Sequence, residues 1–412
     1  MRTRTSATTA LLALAIGGFT IGTTEFATMG LLPDVASGLG VSVPAAGHTI
    51  SAYALGVVVG APLLTVLAAR VPRKRLLVWL MVAYTIGNVL SAAAPSLGWL
   101  VAGRFLAGLP HGAFFGVGAV VGTAVVGAAR RGHAVAIMMA GLTVANVVGV
   151  PLSTFVGQQL GWRAAFVVIG ALGVVTVAAL WLWVPAGAGD QDSSVRRELG
   201  ALRNTRLWVA FGGAAIGFGG MFAVYTYVAE TVTKVSGAST GAVPLVLALF
   251  GVGMTVGTLG GGRLVDRDVY RTVVLGLVST LVVLVALALV AESLVPTLVA
   301  LFLLGATSQV LGIALQARLM DLSPAAPSLG AALCHSALNV GNANGAFVGG
   351  LVIAAGWGYP ATAWAGAALT VVGLVVLVAL GRRGAPAVRE PGKDVADRAV
   401  EDPADLQTAP LP

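Results

Sequence analysis

Twelve times along the chain, some twenty or more apolar residues follow one another before a short polar break. The runs lie at about 9–32, 47–69, 76–95, 99–126, 134–160 and 164–184. After a longer break they resume at 207–229, 242–262, 272–292, 296–318, 329–355 and 361–381. About 20 apolar residues cross the hydrocarbon core of a bilayer as a helix. A membrane strand needs only about half that length and alternates in polarity, which these runs do not do. Charged residues make up 10% of the 412, against about 25% in a soluble domain. The expected fold is an all-α integral membrane protein of twelve transmembrane helices.

Basic residues set the orientation. Only Arg163 and Lys234 lie in breaks of one parity, and Arg104 lies inside a run. The other 21 of the 24 Lys and Arg fall at the N-terminus, in breaks of the other parity or after the last run. Basic residues mark cytoplasmic loops, so both termini are expected in the cytoplasm. The net charge of +8 follows from this bias, and nucleic acid is not an expected partner. The lone cysteine, Cys334, excludes an intramolecular disulfide and reads as a small packing residue.

Within the first run stands one carboxylate, Glu25, in IGGFTIGTTEFATMGLLP. A charge in such a segment costs a few kcal/mol or more and marks substrate or proton handling by default. A structural carboxylate paired to a neighbouring helix is the competing role. Arg104, in the fourth run, poses the same problem with opposite sign. Glu25 lies about seven residues before the end of its run and Arg104 about five after the start of its own. That places them roughly 10 and 8 Å below the same surface. They are expected to share a cavity wall as the proton-coupling pair, with Asp34 at the mouth as an alternative partner for Arg104.

The chain also repeats. A shift of 197 residues lays Tyr53–Lys74 on Phe250–Arg271 without a gap, matching Gly56 to Gly253, Gly60 to Gly257, Arg70 to Arg267 and Lys74 to Arg271. Further on the shift is 195, where Gly161-Trp162 meets Gly356-Trp357. A duplicated six-helix unit is the build of transporters whose halves rock about a midplane site. The expected organisation is a six-helix bundle over 1–185, a cytoplasmic linker over 186–206, a second bundle over 207–383 and a disordered tail over 384–412.

Over residues 7–383 these features resemble the major facilitator superfamily. Its loop motif between the second and third helices is similar to Gly60…Arg70-Val71-Pro72-Arg73-Lys74, with Ala69 where an acid is expected and Pro72 where a glycine is. The second copy keeps Gly257, Gly261, Asp266, Arg267 and Arg271. The resemblance implies a conformational latch in both loops, with Asp266 accepting from arginines and capping a neighbouring helix. Arg104, Gly108 and Gly112 match the superfamily's fourth-helix pattern, with Gly116 continuing it. Gly141, Gly149 and Pro151 resemble the motif of the twelve-helix drug:proton antiporter group, although Val150 separates a glycine and proline that are normally adjacent. The assembly is similar to actinomycete chloramphenicol-resistance exporters and to arabinose and sugar-efflux permeases of enteric bacteria.

Candidate lining residues follow from helical spacing. His111 and Phe115 are one turn apart on the fourth helix, and His335, Asn339 and Asn342 share a stripe on the eleventh. Asn146, Met29 and Tyr53 complete the set with Glu25. Packing is the favoured role for Met29, Tyr53 and Phe115, and the histidines rank behind Glu25 as proton carriers. There is no phosphate-binding G-x-x-x-x-G-K-[ST] and no H-E-x-x-H, so neither an ATP-driven pump nor an enzyme is expected, and no metal. The expected activity is proton-coupled export of a small, mostly apolar compound such as chloramphenicol by a monomer in the bacterial inner membrane, the proton being the coupling ion and no cofactor being needed. Efflux of sugars or nucleosides is the alternative, and a non-transporting sensor or scaffold ranks below both.

Overall fold

The computed structural model describes residues 7–67, 71–127, 130–187, 200, 202–324 and 327–381. Arg70, most of the linker and the tail from 384 lie outside the described residues. The first six spans are built from α1 (Ala7–Gly30), α3 (Val43–Leu67), α4 (Arg73–Ala92), α5 (Leu97–Val126), α6 with α7 (Arg131–Val144 and Val150–Leu160) and α8 (Trp162–Trp183). A short α2 (Leu32–Leu39) follows α1. The second six are built from α9 with α10 (Thr205–Gly217 and Gly219–Tyr225), α11 (Val243–Arg267), α12 (Val269–Val290), α13 (Leu294–Asp321), α14 (Pro327–Ala354) and α15 (Ala361–Gly381). Twelve spans are long and apolar enough to cross a bilayer, and no strand occurs among the described residues. With no water in the hydrocarbon core, a helix satisfies every backbone group internally, which is why such runs fold this way.

The repeat read in the sequence is a repeat of contacts. Gly56 lies against the Phe105 carbonyl and Gly60 against that of Leu109, while Gly108 faces the Tyr53 carbonyl. Adding 197 to each number gives Gly253 against Phe302, Gly257 against Ala306 and Gly305 against Phe250, and each of these contacts is present. A Cβ at any of these glycines would strike backbone, so α3 on α5 and α11 on α13 are the same close small-residue crossing used twice. The shift of 195 also has a structural counterpart. Gly161 and Gly356 both turn the chain with positive φ, at 89° and 82°.

Pro151 follows a π-turn over Ala145–Gly149 that joins α6 to α7. A π-turn holds one residue more than an α-turn, and Val150 and Pro151 open α7 directly after it. Gly149 packs on Thr23 and Gly141 on the Ala15 carbonyl, so α1 lies close along this span.

The halves meet along one seam. Near the end of the bundle that carries the loop 30–43, Gly30 faces Leu247, Gly350 faces Pro44, and Gln158 Nε2 donates to the Thr240 carbonyl at 3.1 Å. Tyr227 puts its hydroxyl between Gly47 and Gly350 and donates to the Ala346 carbonyl at 2.7 Å. Deeper in, Gly251 rests on the Asn146 backbone, Ser51 Oγ donates to the Ala343 carbonyl at 3.3 Å, and Phe26 stacks on Phe222 at 6.2 Å. These contacts close that end of the seam.

Candidate functional site

Glu25 lies near the loop 30–43 end of α1 and is buried, at 8% exposure. Among the described residues its carboxylate has neither an ion-pair nor a hydrogen-bond partner. Arg104 on α5 is fully buried and makes its contacts one residue away from Glu25. Its Nη1 donates to the Thr24 hydroxyl at 2.9 Å and its Nη2 to the Thr24 carbonyl at 3.0 Å. The guanidinium lies over the Tyr53 ring at 4.4 Å and the Phe166 ring at 5.5 Å, so its charge is met by two π faces and two acceptors. Arg104 and Glu25 are within electrostatic reach of each other without forming an ion pair.

Thr24 is held from the other side as well. Its hydroxyl donates to Asn88 Oδ1 at 2.7 Å, and Asn88 Nδ2 donates to the Tyr84 carbonyl at 2.9 Å. Tyr84 returns to α1 by donating its hydroxyl to the Thr20 carbonyl at 2.7 Å. Thr20, Thr24, Tyr84 and Asn88 were not among the expected site residues. Their only sequence signal is the presence of polar side chains inside apolar runs, and that does not specify which of them meet.

From Arg104 the contacts run to the seam. Tyr53, beneath the guanidinium, bonds through its hydroxyl to His111 Nδ1 at 3.0 Å. The His111 ring lies 5.3 Å from Phe115 on the same helix and 6.0 Å from His335 of the other half. Phe115 and His335 stack across the seam at 5.2 Å with planes 6° apart. Asn339 and Asn342 continue along α14 from His335, both buried, and Asn146 presents its backbone to Gly251. The structure therefore brings Tyr53, His111, Phe115 and His335 together. Met29 is wholly buried in the core.

Asp34 lies elsewhere. It lines a cleft of about 340 Å³ at the closed end of the seam, with Glu230, Lys234, Gln158 and Thr240 among the walls. Glu230 is buried and pairs with Lys234 at 2.8 Å. Burial pushes the Asp34 carboxyl up from its ordinary value, its own backbone amide opposes the shift, and the Glu230 carboxylate adds to it. Lys234 is pushed up chiefly because Glu230 accepts its hydrogen bond. Asp34 takes no part in holding Arg104.

The latch residues separate in the same way. Gly60 and Gly257 are the close-approach glycines already described, and Gly108 and Gly112 pack on Tyr53 and Ala61. Lys74 stands 5.7 Å over the Trp181 ring. In the second copy the N-cap of α12 is Asp268. Asp268 has extended backbone, accepts from the Arg271 amide at 2.9 Å and pairs with Arg271 Nε at 3.2 Å. Asp266 and Arg267 are still inside the last turn of α11, a conformation from which Asp266 cannot cap α12. Neither takes part in the ion pairs among the described residues.

Two helical bundles related by a repeat, meeting at a seam with buried charge and polar groups in it, define a membrane transporter. Sequence comparison agrees. The sequence model of the Major Facilitator Superfamily matches residues 14–267 and 213–409, and the chain belongs to that superfamily. It is 42% identical over 368 residues to the inner membrane transport protein YdhP of Escherichia coli K12, covering 89% of this chain and 94% of that one. It is 35% identical to a chloramphenicol resistance protein of Streptomyces lividans, covering 88% and 94%. Among solved structures, a bacterial homolog of the human lysosomal transporter Spinster, inward-facing and occupied, superposes with a TM-score of 0.68 at 18% identity. That superposition covers 91% and 95% of the two chains.

Proposed function

We propose that the protein is a proton-coupled exporter, an antiporter, of a small and mostly apolar compound, with chloramphenicol as the first candidate. The observation that carries this reading is Glu25, a buried carboxylate on a membrane-spanning helix with no partner among the described residues. An ionised carboxylate is costly to bury. Closing the halves over Glu25 and protonating it are therefore linked events. Arg104, tied to Thr24 and covered by two rings, supplies a fixed positive charge beside it. Loss of the proton on one side of the membrane and its gain on the other couples the carboxylate to the position of the seam.

Transport proceeds by rocking of residues 1–185 against 207–383, with 186–206 as linker. The proton is the coupling ion, no other cofactor takes part, and one chain suffices. The bias of basic residues supports cytoplasmic termini in a bacterial inner membrane. The 35% identity to a chloramphenicol resistance protein supports the choice of first substrate.

The test is accumulation of labelled chloramphenicol in efflux-deficient cells, with and without an uncoupler. Lowered accumulation that both the uncoupler and Glu25→Gln abolish supports the reading. Unchanged accumulation alongside efflux of a sugar or nucleoside transfers the activity to those compounds. A fully active Glu25→Gln variant removes the proton role.

A further inference from the structure

Most buried polar side chains find partners, because one left unpaired forfeits its bonds to water with nothing in return. Asn342 is 1% exposed, and both its amide oxygen and its amide nitrogen lack a partner. One turn away, Asn339 donates its nitrogen to the His335 carbonyl at 3.0 Å and leaves its oxygen unpaired. Unpaired hydroxyls occur elsewhere, Thr280 for one, but a hydroxyl is small and rotates freely. A whole amide with no partner beside the seam is a different matter.

Both asparagines share a helical face with His335, whose ring is stacked on Phe115 of the other half. This stack is split by any motion that parts the halves, because each half owns one ring. Parting them opens two flat faces that favour another ring between them. Asn339 and Asn342 then lie about 6 and 10 Å along α14 from His335, at 1.5 Å per residue. One offers an acceptor and the other both a donor and an acceptor. The groups bordering this space, Tyr53, His111, Asn339 and Asn342, offer hydrogen bonds and not a fixed charge. The nearby Arg104 gives Nη1 and Nη2 to Thr24, while its Nε is buried without a partner.

We infer that the seam takes a flat aromatic ring carrying an uncharged amide or hydroxyl group, the ring entering between Phe115 and His335 and the polar group pairing with Asn339 and Asn342. The inference rests on the reading of the seam as the substrate path. It narrows the substrate from a mostly apolar compound to one with a ring at one end and a neutral hydrogen-bonding group about 6–10 Å away.

The experiment is ligand binding to the purified full chain in detergent, followed by intrinsic tryptophan fluorescence. Four probes are compared: 4-phenylbutanamide, n-butylbenzene, hexanamide and 4-phenylbutyltrimethylammonium. The aromatic amide is expected to bind at least tenfold tighter than each of the other three. Asn342→Leu should bring its affinity to within about twofold of n-butylbenzene while leaving the hydrocarbon unchanged. Phe115→Leu should weaken both neutral aromatic probes. Equal affinities across the wild-type series overturn the inference without any variant having to fold. Tighter binding of the cation, or full discrimination surviving in Asn342→Leu, also overturns it. No proton gradient exists in detergent, so a failure of proton-driven export in cells leaves this result standing and counts against the coupling alone.

Discussion

Arg104 holds Thr24 by two hydrogen bonds, Nη1 to the hydroxyl at 2.9 Å and Nη2 to the carbonyl at 3.0 Å, and so fastens α5 to α1 one residue from Glu25. The Thr24 hydroxyl passes the connection on to Asn88 on α4. Replacing Thr24 with valine keeps the shape and removes both side-chain bonds. Hydrogen bonds to charged groups are worth about 1.5–3 kcal/mol, and Thr24→Val should lose about that much. Thermal unfolding of the purified protein reads the loss, and an unchanged midpoint would show that Thr24 does not carry the guanidinium.

This relationship also shows how far the sequence could be read. Apolar run length is enough for the twelve spans, because a bilayer imposes one thickness on all of them. Glu25 and Arg104 stand out because a charge in hydrocarbon is expensive. Depth along two helices can be counted, and it places these residues at one level. Successive helical residues, however, point about 100° apart while rising only about 1.5 Å. Depth therefore does not distinguish Glu25 from Thr24 as the residue Arg104 reaches. The same limit hid Asn88 and Tyr84. The cross-seam stack of Phe115 on His335 depends on how two bundles dock, which no spacing within one helix encodes.

Seam closure depends on Gly251, where a Cβ would meet the Asn146 backbone of the other half. Gly251→Val should act as a wedge. Overpacking costs about 1–3 kcal/mol, which corresponds to a population shift of roughly fivefold to a hundredfold toward a parted seam. Thr154 is wholly buried near Gly30 at the closed end. In a Cys334→Ala background, Thr154→Cys should react severalfold faster with an aqueous thiol reagent once Gly251→Val is added. Equal rates would mean that the seam closes independently of this contact.

At the closed end the prediction concerns pH. Burial and the Glu230 carboxylate raise the Asp34 carboxyl above its ordinary value. A raised acid favours its protonated form in the folded state, so its contribution is most favourable at low pH and declines as pH rises from the ordinary carboxylate range through the raised value. Asp34→Asn should therefore stabilise the protein at neutral pH relative to wild type, with the gain disappearing toward pH 4. Lys234 behaves in the opposite region. Its raised value makes the Glu230 pairing fully present below the ordinary lysine range and lost as pH climbs through the raised value. Unfolding midpoints across pH for wild type and Asp34→Asn check the sign.

The turn between α11 and α12 separates two neighbouring aspartates. Asp268 caps α12 and pairs with Arg271, so Asp268→Ala should cost about 1 kcal/mol, the usual value of a lost N-cap. Asp266→Ala should fall within about 0.5 kcal/mol of wild type, as for a surface change away from such features. Denaturation of the two variants side by side tests the assignment, and a larger loss for Asp266→Ala would reverse it.

The central claim is that Glu25 exchanges a proton for substrate. The most direct measurement is proton release from purified protein in weakly buffered detergent on addition of chloramphenicol, followed with a pH-sensitive dye. The account predicts release by wild type and none by Glu25→Gln, with Asp34→Asn releasing as wild type does. Chloramphenicol binding with no proton release from wild type, or the same release from Glu25→Gln, would contradict it.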